Sequence, residues 1–140
     1  MQWVIFHIFK WIMIQQVTRG IKISVQADYE GSFLKDYVLH YAFVYKITIE
    51  NQSKNAVQLL TRHWKIKEAL NPTQYVNGDG VVGKKPILQP GESHSYQSGC
   101  LLTTPVGSMQ GTYIMIDFSL AKKFHVEIPI FKLNAPHILN

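Results

Sequence analysis

Apolar and polar positions alternate with a period of two along most of the chain. Ile21, Ile23, Val25, Ala27 and Tyr29 interleave with Lys22, Ser24, Gln26 and Asp28. Successive side chains of an extended backbone point to opposite faces, so residues 21–29 are predicted to form a strand with one wet face. The polar, glycine-containing residues 30–35 read as a turn. Tyr37, Leu39, Tyr41, Phe43, Tyr45, Ile47 and Ile49 then share one face of a long strand. Its other face passes from Val38, Ala42 and Val44 to Lys46, Thr48 and Glu50. Asn and Ser side chains bond their own backbone, which makes residues 51–55 a turn. Residues 57–68 are the return strand, and the two are expected to pair as a hairpin.

Asn71-Pro72 marks another turn, followed by a short strand at 74–76 and a glycine-rich stretch at 78–83. A brief extended segment at 86–88 precedes the turn Gln89-Pro90-Gly91-Glu92. Residues 93–97 alternate weakly. Residues 99–111 are rich in Gly, Thr, Ser and Pro and are expected to be loop. Residues 112–118 are apolar on both faces, the pattern of a central strand. In the last strand Phe124, Val126, Ile128 and Ile130 share a face, after which Phe131 and Leu133 carry the apolar positions. That change of phase at Pro129, which lacks a ladder donor, predicts a bulge or an edge strand. No window holds helical spacing with caps. Short strands punctuated by turns predict an all-β chain folded as an antiparallel β-sandwich, with an eight-stranded barrel as the alternative.

Composition narrows the function classes. The chain has 140 residues, the size of one domain, and 46% are hydrophobic, which supports a buried core and excludes wholesale disorder. The net charge of +5 permits a phosphate or acidic-protein ligand, but no run of like charge marks a nucleic-acid surface, and none is expected. Lys84-Lys85 and Lys122-Lys123 read as solvated turn residues. The lone Cys100 excludes an intramolecular disulfide and a cysteine-rich metal site, and fits a reducing, cytoplasmic setting. The histidines fall at 7, 40, 63, 94, 125 and 137 with no metal-binding spacing, so neither a metal nor another cofactor is expected. Residues 1–12 are largely apolar but too short for a membrane span, which needs about 20 such residues. They read as an appendage upstream of a natural start at Met13, with a hydrophobic helix on a membrane surface as the alternative. Residues 13–140 are then the single domain.

Gly78-Asp79-Gly80-Val81-Val82-Gly83 spells G-x-G-x-x-G. A dinucleotide loop needs a helix after it, and Pro86 and Pro90 leave no room for one. A reduced reading survives, in which Gly78, Gly80 and Gly83 form a nest of backbone N–H groups for an anion, helped by Arg62, Lys84 and Lys85. The plainer reading is that the glycines serve a turn. Trp64 shares a face with Leu60 and Ile66 and reads as core. Arg62 falls on that face too, needing a buried acceptor or a bulge, and His63 points the other way. Cys100 reads as a buried, inert thiol.

Thr61-Arg62-His63-Trp64, the glycine hexapeptide, Pro86-Ile87-Leu88-Gln89-Pro90-Gly91-Glu92, Ser98-Gly99-Cys100 and Thr104-Pro105-Val106-Gly107-Ser108-Met109-Gln110-Gly111-Thr112-Tyr113 occur in that order. Together with Ile128-Pro129-Ile130-Phe131 they resemble the ApaG family over nearly the whole chain. The resemblance implies a fibronectin type III-like sandwich, a link to cobalt resistance and magnesium efflux, and a protein-interaction role. It supplies no catalytic residues. The chain is therefore read as a non-enzymatic module that engages a protein partner through the regions around Arg62, His63 and Trp64 and around Gly78 to Lys85. The alternative is a phosphate, pyrophosphate or nucleotide sensor built on the glycine loop. Open sheet edges leave a homodimer as a further option.

Overall fold

The alternating segments are all extended, but several run further than their polarity suggests. The computed structural model describes residues 13–136, so the readings made for residues 1–12 lie outside it. In chain order the strands are β1 (Ile14–Thr18), β2 (Ile21–Lys35), β3 (Val38–Asn51), β4 (Val57–Glu68), β5 (Gln74–Asp79), β6 (Ile87–Leu88), β7 (Ser93–Leu102), β8 (Val106–Asp117) and β9 (Lys122–Asn134). One sheet has the order β1-β2-β3-β7, and the other has β5-β4-β8-β9 with β6 also on β4. The pairings are antiparallel. This is the antiparallel sandwich that the period-two pattern predicts.

The inner faces supply the core. Ile21, Ile23, Val25, Phe43, Tyr45, Ile47 and Ile49 of the first sheet are buried against residues of the second that include Leu59, Trp64, Tyr113, Met115, Val126 and Phe131. Tyr45, Trp64 and Phe131 form an aromatic triangle with centroid separations of 5.4, 5.7 and 6.0 Å. Tilted and edge-on rings at such distances add attraction beyond the area they bury.

Three boundaries differ from expectation. Residues 30–35 are not a turn, because β2 continues to Lys35. Gly31 (φ +122°) occupies a bulge instead, and the chain reverses at Asp36 and Tyr37. β3 and β4 are not a hairpin. β3 pairs with β2 and β7, whereas β4 pairs with β5, β6 and β8 in the other sheet. The crossing is held by Asn51, whose fully buried side chain donates to the carbonyls of Asn55 (2.8 Å) and Leu88 (2.9 Å). Its own carbonyl oxygen accepts from the Ser53 amide and hydroxyl. A buried amide with every polar atom satisfied is a structural clamp. Finally, residues 99–111 are mostly strand. Gly107 and Gly111 sit there because neighbours approach closely: a Cβ on Gly111 would lie 2.4 Å from the His63 carbonyl oxygen. At Pro129 and Ile130, β9 carries an extra residue against β8, and it is an edge strand of its sheet.

Candidate functional site

β4 carries Arg62, His63 and Trp64. A bulge between Leu59 and Thr61 shifts its phase, so that Leu59 is fully buried and the inward series resumes at Trp64 and Ile66. Arg62 lies in that series, and its charge is answered by backbone. Nη1 donates to the carbonyls of Asp79 at 2.8 Å and Gly80 at 2.9 Å. Gly78 lies opposite Arg62 on β5, and a Cβ there would stand 2.8 Å from the guanidinium. Gly78 therefore makes room for Arg62, and Arg62 holds the start of the glycine loop.

The rest of the loop is a miniature hairpin. The Gly80 amide donates to the Leu60 carbonyl, the Val81 amide to Lys84 and the Lys84 amide to Val81. Val82 and Gly83 form its corner with φ of +47° and +74°. Positive φ at both central residues is the mark of a type I′ turn. Val81 is only 1% exposed and plugs into the core, while Val82, Gly83, Lys84 and Lys85 face outward. Three of the amides that a nest would use thus already have partners. Lys85 lies 4.0 Å from the Asp79 carboxylate, an exposed pair.

His63 faces away from the core. Its Nδ1 is 2.9 Å from the Asn77 side-chain oxygen, and Nε2 is 3.0 Å from the Thr61 hydroxyl. The amide oxygen can only accept, so Nδ1–H donates to it. Trp64 is 4% exposed and packs in the aromatic triangle. His63 and Trp64 are thus adjacent in sequence but on opposite faces of one strand.

Arg62 also borders a polar pocket between the sheets. The cavity, of about 330 Å³, is lined by Tyr45, Arg62, Trp64, Ser98 and Cys100 among others. Elsewhere between the sheets the Tyr96 and Tyr113 hydroxyls are hydrogen-bonded to each other. Burial pushes both phenols up, and the nearby Arg62 charge only partly opposes it. Burial, and then the Glu68 carboxylate, push the Cys100 thiol up to about 11. That is the opposite of what activates a thiol nucleophile. Among the described residues no group of three His, Cys, Asp or Glu could hold a metal, and no helix is long and apolar enough to cross a membrane.

A different surface emerges at the end of the β2–β3 hairpin. Among the described residues, β1 pairs only as far as Val25 and β7 only as far as Tyr41, so residues 32–40 extend beyond both. Phe33, Leu34, Val38 and Leu39 are 44%, 73%, 46% and 42% exposed, and Tyr37 is entirely exposed. Leu34 faces Leu39 across the ribbon, and Phe33 stacks on His40 at 5.8 Å. Alternation puts Tyr37 and Leu39 at the half-buried start of a strand. The available signal was that apolar residues continue on both faces up to the reversal, where a one-sided strand would turn polar.

The family model of the ApaG domain matches residues 32–117. The chain is 43% identical over 126 residues to Protein ApaG of Methylorubrum extorquens (strain PA1), covering 90% of this chain and 96% of that protein. With Protein ApaG of Thiobacillus denitrificans it is 46% identical over 120 residues, covering 86% and 94%. Among solved structures, the putative ApaA protein of Bordetella pertussis is similar with a TM-score of 0.73 and 35% identity, covering 84% of this chain and 95% of that one. A structural-genomics X-ray structure is similar with a TM-score of 0.80 and 38% identity, covering 86% and 90%.

Proposed function

We propose a role for the chain from one premise: it belongs to the ApaG domain family. It acts as a non-catalytic module that binds a protein partner, with the end of the β2–β3 hairpin as the contact. One observation carries this reading. Tyr37 is fully exposed and held at φ +66° in a two-residue turn, a position that favours glycine. An aromatic in a strained backbone, surrounded by exposed Phe33, Leu34, Val38 and Leu39, gains nothing from folding alone. A partner's apolar pocket would reward it, since exposed aromatics at the centre of a patch are common anchors of interfaces. The link to cobalt resistance and magnesium efflux would then be indirect, through the partner. The direct test is affinity capture from the producing cells with the wild type and with a Leu34→Ser/Leu39→Ser variant of unchanged circular dichroism. A stoichiometric partner lost only from the variant supports the reading, and identical capture contradicts it.

The second reading is a phosphate-containing ligand at Gly78, Gly80 and Gly83 with Lys84 and Lys85. What favours it is the outward corner of Val82 and Gly83, whose amides donate to no backbone carbonyl among the described residues, next to two exposed lysines. Nη1 of Arg62 is already engaged by the Asp79 and Gly80 carbonyls. Titration with pyrophosphate should then shift the amides of Val82 and Gly83 first, and shifts elsewhere only would exclude it.

A further inference from the structure

A second concentration of chemistry lies apart from the hairpin and the glycine loop. The β1–β2 turn, residues 52–56 and the β8–β9 turn meet at one end of the sandwich. The Gln52 amide donates to the Gly20 carbonyl at 2.7 Å, and the Phe118 amide to Ala56 at 3.1 Å. The Asn55 side chain donates to the Asp117 carboxylate at 3.0 Å. A Cβ on Gly20 would stand 3.0 Å from the Ser53 side chain, so the turns are in close contact. Between them lies a cavity of about 460 Å³ lined by Arg19, Ser53, Asp117, Lys122, Lys123 and His125 among others.

The charges in this cavity are unequal. Arg19, Lys122 and Lys123 are three cations. Among the described residues the only ion pair is Lys85 with Asp79, so none of the three is held by a carboxylate there. The one acidic group in the lining, Asp117, is already engaged. One of its oxygens accepts from Asn55 and the other from the amides of Ser119 and Leu120. Arg19 and Ala121, on two of the turns, both sit at positive φ (+49° and +52°), strained positions for residues with a Cβ. Like charges gathered around a concavity repel, and an anion placed among them removes that repulsion.

We propose that this cavity binds a phosphate group, with Arg19, Lys122 and Lys123 as its cationic contacts. Arginine and lysine are the side chains that meet phosphate oxygens with charge-assisted hydrogen bonds. The group belongs either to a free oligophosphate or to an anionic lipid headgroup, since Leu120 beside the cavity is 62% exposed. The site is independent of the partner surface on the hairpin.

The experiment is an amide-shift titration of the full chain with inorganic pyrophosphate, beside sedimentation with phosphatidylcholine vesicles with and without phosphatidic acid. Saturable shifts at residues 19–20, 53 and 119–125 without vesicle binding assign a free phosphate. Co-sedimentation that requires phosphatidic acid and is reversed by pyrophosphate assigns the headgroup. Arg19→Asn removes a charge while keeping a residue that tolerates positive φ, and Lys122→Gln/Lys123→Gln removes two on strand β9. Each should weaken binding by about tenfold or more with thermal stability unchanged. Absence of binding in both arms, shifts confined to 78–85, or affinity that both variants leave unchanged would overturn the assignment.

Discussion

The guanidinium of Arg62 occupies the space where a Cβ of Gly78 would stand, 2.8 Å away. The first glycine of the G-x-G-x-x-G string is therefore explained by a side chain of the neighbouring strand. Gly78→Ala should push Arg62 off the Asp79 and Gly80 carbonyls and destabilise the fold by about 1–3 kcal/mol, as for losing hydrogen bonds to a charged group. In an Arg62→Ala background the same change should cost almost nothing. A double-mutant cycle by urea unfolding checks this, and additive effects would refute the coupling.

Val82 is β-branched and sits at φ +47° at the corner of the loop hairpin. Such a residue is strained there by about 1–2 kcal/mol, whereas asparagine enters this region readily. Val82→Asn, giving Asn-Gly at the corner, should raise the melting temperature by a few degrees, or about 1 kcal/mol. An unchanged or lower melting temperature would mean that the exposed Val82 side chain makes a contribution of its own.

Cys100 should be a slow thiol. Its folded-state value of about 11 against an ordinary 9.0 leaves about a hundredfold less thiolate at neutral pH, so iodoacetamide should label it that much more slowly than in urea. The folded state favours the neutral thiol. Its stabilising contribution is thus whole below pH 9.0 and is lost as the pH rises towards about 11. Fast labelling of the native protein at pH 7 would contradict this.

The Asn51 side chain makes four hydrogen bonds, three within residues 51–55 and one to Leu88 of β6. Asn51→Ala would take a donor from the Asn55 and Leu88 carbonyls and an acceptor from Ser53, and loosen the crossing between sheets. A loss of about 2–4 kcal/mol is expected from equilibrium unfolding. A loss within about 0.5 kcal/mol, ordinary for a surface site, would show that the crossing does not depend on it.

The strands were legible wherever one face is buried and the other wet. Ile21, Ile23 and Val25, or Phe43, Tyr45, Ile47 and Ile49, are read directly from alternation and are all buried. What failed was the reading of glycine. Gly31 signalled a turn and is a bulge, while Gly107 and Gly111 signalled loop and mark close approach within strands. Composition cannot separate a glycine chosen for its φ from one chosen for its missing Cβ. Sheet membership was equally hidden, since a five-residue link suits a hairpin as well as a crossing, and only the burial of Asn51 separates them. Of the candidate site, the contact between Arg62 and the glycine loop follows from cross-strand register, which no local pattern encodes. The apolar hairpin end is in plain view as residues, but the pattern puts Phe33 and Leu34 in a turn and half-buries the start of the next strand, because exposure depends on where β1 and β7 stop.

On the proposed role, Tyr37 is kept at the tip of the β2–β3 hairpin for a partner and against the interest of the fold. Tyr37→Gly measures both sides at once. The substitution puts an Asp-Gly pair at the corner, a favoured sequence for a type I′ turn, so the variant should gain about 1 kcal/mol in urea unfolding. Its partner capture should fall by at least about tenfold, as for loss of an interface anchor. A more stable variant that no longer binds is the predicted result. A variant that binds its partner as the wild type does would contradict the account, whatever its stability.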